Sequence, residues 1–150
     1  MNEAALAIML ALFGADRAVD QAQLFCLAQN VWFEEEHSDP GDRLAIAHVV
    51  LNRVADRRFP DDVCSVVWQR YQFSWTHDGK PDRVLPVIRR DYVGAWVEVV
   101  KASYDALTGR TVDPTDGATH YHASYVRPYW AGVMTPTQVT FGHVFYRRDR

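Results

Sequence analysis

Three consecutive glutamates, Glu34, Glu35 and Glu36, follow Val31-Trp32-Phe33 in a chain that has only five glutamates. The residues before them, Leu24, Leu27, Ala28 and Val31, recur at helical spacing, so the triplet closes an apolar helix. Successive helical positions differ by about 100°, so the three carboxyls cannot share one environment. At least one is pressed toward the apolar, aromatic side. A carboxyl desolvated there has a raised pKa and stays protonated near neutral pH, which is what a general acid in glycoside cleavage requires. The plain alternative is a solvated charge run. Against it, a helix C-terminus is the unfavourable end for acids, because the helix dipole opposes them. Periodicity places Glu35 on the apolar stripe and Glu34 at its edge, and does not choose between them.

A second constellation is His120, His122 and His143. The first two are two residues apart on a predicted strand and so face one way. With His143 they are candidates for a three-histidine zinc site, as in metal-dependent amidases. The spacing is permissive, and structural or substrate-binding histidines are the simpler reading. His48, on an apolar helical stripe, reads as a core histidine.

The elements that must position these groups come mostly from periodicity. The chain has 150 residues, 48% hydrophobic and 23% charged, which fits one folded domain and excludes general disorder. Net charge is −3, so a broad nucleic-acid footprint is not expected. No apolar run reaches the roughly 20 residues that span a bilayer, so no stable membrane insertion is expected. Residues 1–19 read as an N-terminal helix or appendage rather than a signal segment, since Glu3 stands where a basic start would be. Residues 20–150 form the main domain. Asp20 caps a helix ending near Glu34 to His37, and Asp39-Pro40 opens an all-round apolar helix to about Val54. A short helix runs through Val63, Val66 and Val67. Residues 71–84 read as loop, and Pro86 opens a long helix that Gly109 closes. Residues 119–125 and 139–146 are β-branched and aromatic, broken by Pro128, Pro136 and Gly142, and read as short strands and loops. The fold class is α+β, mainly α, with a small C-terminal β element. Cys26 and Cys64 sit among apolar neighbours and read as buried free thiols, with a bridge between them possible.

The stretch Asn30-Val31-Trp32-Phe33-Glu34, followed by Leu44-Ala45-Ile46-Ala47-His48-Val49-Val50-Leu51-Asn52-Arg53-Val54, resembles the cell wall hydrolase family that includes spore-cortex-lytic enzymes of the SleB/CwlJ type. Three further blocks agree in order. They are Arg58-Phe59-Pro60-Asp61 with Val63 to Gln69, then Gln72-Phe73-Ser74-Trp75, then Gly117 to Ala123 with Val126 to Ala131 and Gly142 to Arg147. The resemblance implies a lysozyme-like domain acting on peptidoglycan glycan strands, with Glu34 at the family's catalytic glutamate. It needs no cofactor, and a monomer is the default. The family's second glutamate is replaced by Ser38, so any role of that acid is lost or moved to Asp39 or Glu36. His77 stands where many relatives have a cysteine, which weakens a disulfide carried over to Cys64.

One well-placed glutamate suits a lytic transglycosylase. Such an enzyme cleaves between muramic acid and N-acetylglucosamine and leaves 1,6-anhydro ends. A glycan-hydrolysing muramidase and a zinc-dependent N-acetylmuramoyl-L-alanine amidase are the alternatives, and a non-catalytic sugar-binding module is a third. Asn52, Gln72, Ser74, His120, Tyr121 and His122 are candidates to hold substrate polar groups. Phe73, Trp75, Tyr129 and Trp130 are candidates to stack on sugar faces. Action on the wall, in periplasm or outside the cell, follows, with phage-type release from the cytoplasm as one route and bacterial remodelling as the other role.

Overall fold

A computed structural model describes residues 2–35, 40–70, 72–80, 82, 84 and 90–149. Helix α2 (Gln21–Glu35) begins where the Asp20 carboxylate accepts the free backbone N–H groups of Ala22 and Gln23, at 3.0 and 3.3 Å. Its stripe of Leu24, Leu27, Ala28 and Val31 is fully buried. Helix α3 (Arg43–Ala55) follows a 3₁₀ turn (Pro40–Asp42) and is apolar nearly all round, with Ala45, Ile46, Ala47, Val49 and Val50 buried. Such a helix has neighbours on most sides, and here they are α2, α4 (Val63–Val67) and α5 (Arg90–Leu107). His48 is buried as expected of a core histidine, its Nε2 3.0 Å from Thr111 Oγ1.

Helix α1 (Glu3–Phe13) lays Ala5 and Met9 into the same core, and its Ala5 carbonyl accepts a hydrogen bond from Trp96 Nε1 of α5 at 2.9 Å. Among the described residues no helix is long and apolar enough to cross a membrane. At the end of α5, Gly109 takes a positive φ of 75°. Its N–H bonds Ala106 O while Arg110 N–H bonds Asp105 O, the pairing that satisfies a helix's last carbonyls. The expected start of this helix at Pro86 and the N-cap at Asp39 lie outside the described residues.

Cys26 of α2 and Cys64 of α4 form a disulfide, with Cα atoms 5.2 Å apart. This corrects the free-thiol reading. Local apolar neighbours are equally compatible with both states, and only the packing of α4 on α2 brings the two side chains together.

The C-terminal third forms a three-stranded antiparallel sheet in the order β1 (His120–Ala123), β3 (His143–Arg147), β2 (Thr135–Val139). The sequence marks Pro136 as a break, yet it lies inside β2. An edge strand can spare the missing N–H, and a register shift between Pro136 and Gln138 absorbs the irregularity. Residues 71–84, read as loop, also hold a 3₁₀ turn at Ser74–Thr76.

Candidate active site

The last turn of α2 carries Glu34 to the rim of β1, and between them opens a cleft of about 240 Å³. Glu34, Arg53, Gln72, Phe73 and Ser74 line its helical side, and Tyr121, His122, Ala123 and His143 line its sheet side. Burial of the Glu34 carboxyl pushes its pKa up from 4.5 to about 7, and the Tyr121 hydroxyl and the Arg53 cation pull it part of the way back. Near neutral pH the group is therefore divided between acid and carboxylate, the condition for donating a proton there. The side chain of Glu35 lies outside the described residues. Glu34 sits at the edge of the apolar stripe, where a side chain can be desolvated and still face a cleft.

Arg53 is the cation beneath the cleft. Its guanidinium donates to Thr119 O at 2.7 Å and to Gln72 Oε1 at 3.2 Å, and lies 5.2 and 5.0 Å from the ring centroids of Phe59 and Phe73. A buried guanidinium needs this full set of partners, and it stays charged. Tyr121 is held by its ring against Phe145 and His143. Its hydroxyl is buried and reaches no acceptor at full hydrogen-bond geometry among the described residues. Its acidic neighbour is Glu34, close enough to affect that carboxyl, and burial first and then Glu34 raise the phenol well above its usual pKa.

The structure gathers Glu34, Gln72, Phe73, Ser74, Tyr121 and His122 of the expected residues around one cleft. Others stand elsewhere. The Asn52 amide donates to Asp113 Oδ2 and Ala118 O, both at 2.8 Å, and so fastens the loop before β1 to α3 outside the cleft. Trp75 is buried, stacked on Phe33 at 4.7 Å with its Nε1 donating to Asn30 at 2.8 Å, so it supports the cleft from below. His120 and Trp130 form an aromatic group with Phe59 and Tyr146 beside the cleft. Burial, then Arg53, Arg148 and Arg58, push His120 down to about 4, so it is neutral at neutral pH. Tyr129 is 96% exposed next to this group.

Strand register corrects the three-histidine zinc reading. His120 and His122 pair with Tyr146 and Val144, whereas His143 pairs with Ala123. Directly paired residues share a face and neighbours alternate, so His143 lies on the opposite face from the other two. Its Nδ1 is 2.7 Å from Asp42 Oδ2, and His122 bonds Ala123 O and Tyr146 OH through its two nitrogens. Among the described residues no three His, Cys, Asp or Glu side chains are placed to hold a metal ion.

Arg53, Asp42 and the Asp42–His143 pair were not marked as parts of the site by sequence reasoning. Arg53 carried a usable signal, a charge inside an all-round apolar helix. Asp42 carried none, because its partner is 101 residues away.

Comparison with known proteins agrees with this architecture. The spore cortex-lytic enzyme of Halalkalibacterium halodurans is 32% identical over 99 residues, covering 63% of this chain; the chain spans only 25% of that protein's length. The catalytic domain of the germination-specific lytic transglycosylase SleB from Bacillus anthracis superposes with a TM-score of 0.68 at 23% identity, covering 89% of this chain and 100% of that domain. The SleB catalytic domain of Bacillus cereus gives 0.66 at 24%, covering 87% and 94%. At these identities the likeness shows the fold, and it is the lysozyme-like, mainly helical α+β class expected. A family model described as cell wall hydrolase matches residues 37–146, beginning after Glu34, so the role of that glutamate rests on its own geometry. With most of its length matched, the chain belongs to the cell wall hydrolase family.

Proposed function

We propose that the chain is a peptidoglycan lytic transglycosylase that cleaves the glycan strand between muramic acid and N-acetylglucosamine, with Glu34 as the acid. The observation that carries this is the Glu34 carboxyl at the cleft, its pKa pushed by burial to about 7. The protonated carboxyl donates to the leaving glycosidic oxygen as the bond to the muramyl C1 breaks, and an oxocarbenium-like centre develops there. Gln72 and Ser74 are placed to hold the sugar's polar groups, His122 lines the cleft with both ring nitrogens already bonded within the sheet, and the Arg53-Phe73 pair forms one wall.

Among the described residues lining the cleft, Glu34 is the only carboxylate. A hydrolase ordinarily uses two, one of them to activate water or to trap the sugar. Attack by the muramyl 6-hydroxyl needs no second carboxylate and gives a 1,6-anhydro end. The similarity to a catalytic domain titled lytic transglycosylase supports the same chemistry. The Cys26–Cys64 disulfide suits work in an oxidising compartment, as at a cell wall outside the cytoplasm.

Digestion of purified sacculi followed by mass spectrometry of the products tests this. Anhydro-muropeptides are expected, with and without a chelator. Reducing ends alone would assign a muramidase, and cleaved stem peptides on intact glycan would assign an amidase.

A further inference from the structure

A buried acid–histidine pair backs the sheet side of the cleft, and the scheme with Glu34 alone gives it no task. Asp42 and His143 are 3% and 4% exposed, and Asp42 Oδ2 accepts from His143 Nδ1 at 2.7 Å. Asp42 ends the 3₁₀ turn and stands at the N-cap of α3, yet its side chain does not cap that helix. It turns instead to His143 and to Thr140 Oγ1, which donates to it at 2.9 Å. The Thr140 hydroxyl also accepts His143 N–H at 3.0 Å, so backbone and ring of the histidine are fixed together. With Nδ1–H committed to the carboxylate, a neutral His143 carries its lone pair on Nε2. Among the described residues no hydrogen bond engages Nε2, and His143 lines the same cleft as Glu34. Its ring meets Tyr121 edge-on at 5.1 Å, and Tyr121 also neighbours the Glu34 carboxyl.

We infer that His143, oriented by Asp42, is the general base that takes the proton from the attacking muramyl 6-hydroxyl. This rests on the transglycosylase reading of the cleft and departs from a scheme in which Glu34 is both acid and base. The two groups divide the reaction. Glu34 gives its proton to the leaving oxygen as the C1–O bond breaks. The 6-oxygen forms the new bond to C1, and its proton passes to His143 Nε2. Afterwards His143 loses that proton to water in the opened cleft, Glu34 regains one, and no co-reactant is consumed. The division lets both transfers occur together, because a carboxyl still delivering its proton cannot receive another. A buried Asp holding a His in one tautomer performs the same orienting task in other hydrolytic sites. The competing account is a purely structural ion pair tying β3 to α3.

The test is His143→Gln beside Asp42→Asn, each read for folding, rate, pH profile and products. Glutamine fills the site and donates to Asp42 but cannot take a proton. His143→Gln is expected to keep a cooperative melt and lose about 100-fold or more in kcat, within the range for a general base. The acid limb of the pH–rate profile is expected to vanish, and anhydro ends to fall relative to reducing ends in the residual product. The groups facing His143 during this titration are Asp42, Tyr121 and, across the cleft, Glu34 and Arg53. All but His143 are unchanged in that variant, so a lost limb belongs to the histidine. Asp42→Asn, which keeps an acceptor for Nδ1–H but removes the charge, is expected to slow the reaction and shift the limb, and it decides the matter where His143→Gln does not fold. Folded variants with wild-type kcat, limb and product ratio would overturn the inference, as would activity lost only in proportion to folded protein. Wild-type enzyme that makes no anhydro ends would instead overturn the transglycosylase reading itself.

Discussion

Glu34→Gln is expected to abolish glycan cleavage, by about a thousandfold or more, and to leave the protein folded. Glutamine keeps the size and hydrogen-bonding capacity of the side chain and loses only the transferable proton. A positioned general acid ordinarily accounts for about 10²–10⁴ in rate, and no other acid lines the cleft among the described residues. The same variant carries a stability signature. Because burial raises the Glu34 pKa from 4.5 to about 7, the folded state holds a proton that the unfolded state releases. The associated stability is fully present below pH 4.5 and is lost as pH rises through about 7, a change on the order of 3 kcal/mol. Glutamine never ionises, so Glu34→Gln is expected to be more stable than wild type above pH 7, by about 1–3 kcal/mol. Loss of the anion's partnership with Arg53 sets the lower end of that range. Turnover on sacculi and urea melts at pH 5 and 8 check both halves. A folded variant with wild-type turnover would remove Glu34 from the mechanism. A carboxyl that merely caps a surface would give no pH-dependent stabilisation.

Reduction of the Cys26–Cys64 bond is expected to be the largest single loss of stability. The bridge closes a loop of 38 residues that contains the second half of α2, all of α3 and the start of α4. In the chain-entropy account a loop of that length is worth about 4 kcal/mol. For a domain of this size that is a fall in Tm on the order of 10 °C. Thermal melts with and without reductant measure it, and Cys64→Ser, which has no bridge to break, should be insensitive to the reductant. Equal melting temperatures in both conditions would show the sulfurs unlinked in solution. The cleft lies at the other end of α2, so the folded fraction of the reduced protein is expected to keep its activity at low temperature.

What could be read from the chain alone divides along the range of the interactions. The core stripe of α2, the Asp20 cap and the Gly109 stop are local and legible, because cap chemistry and helical period act within one or two turns. The gathering of Gln72, Phe73, Ser74 and Tyr121 near Glu34 was legible only as ordered blocks resembling a family, since periodicity cannot bring a loop to a helix end. Three features were illegible for the same physical reason. The disulfide needs the docking of α4 on α2. The Asp42–His143 pair spans 101 residues. The opposed faces of His122 and His143 depend on antiparallel register, which a strand's own sequence does not specify. Asn52 and Trp75 stand where long-range packing, not local pattern, sends them. The Asn52 amide, a candidate to hold a sugar, is spent on Asp113 and Ala118, and the Trp75 ring, a candidate stacking face, is buried against Phe33 with its Nε1 on Asn30. Inside a packed domain a polar atom is more often a fastening than a ligand group.

Proton donation by Glu34 requires a glutamate at the cleft that holds its proton near neutral pH. Titration of side-chain carboxyls by carbon NMR tests it most directly, since the protein has only five glutamates and Glu34→Gln identifies the resonance. One glutamate titrating near pH 7, absent from the variant, is expected. If every glutamate titrates in the ordinary range near 4.5, Glu34 is a solvated carboxylate and not the acid of the cleft.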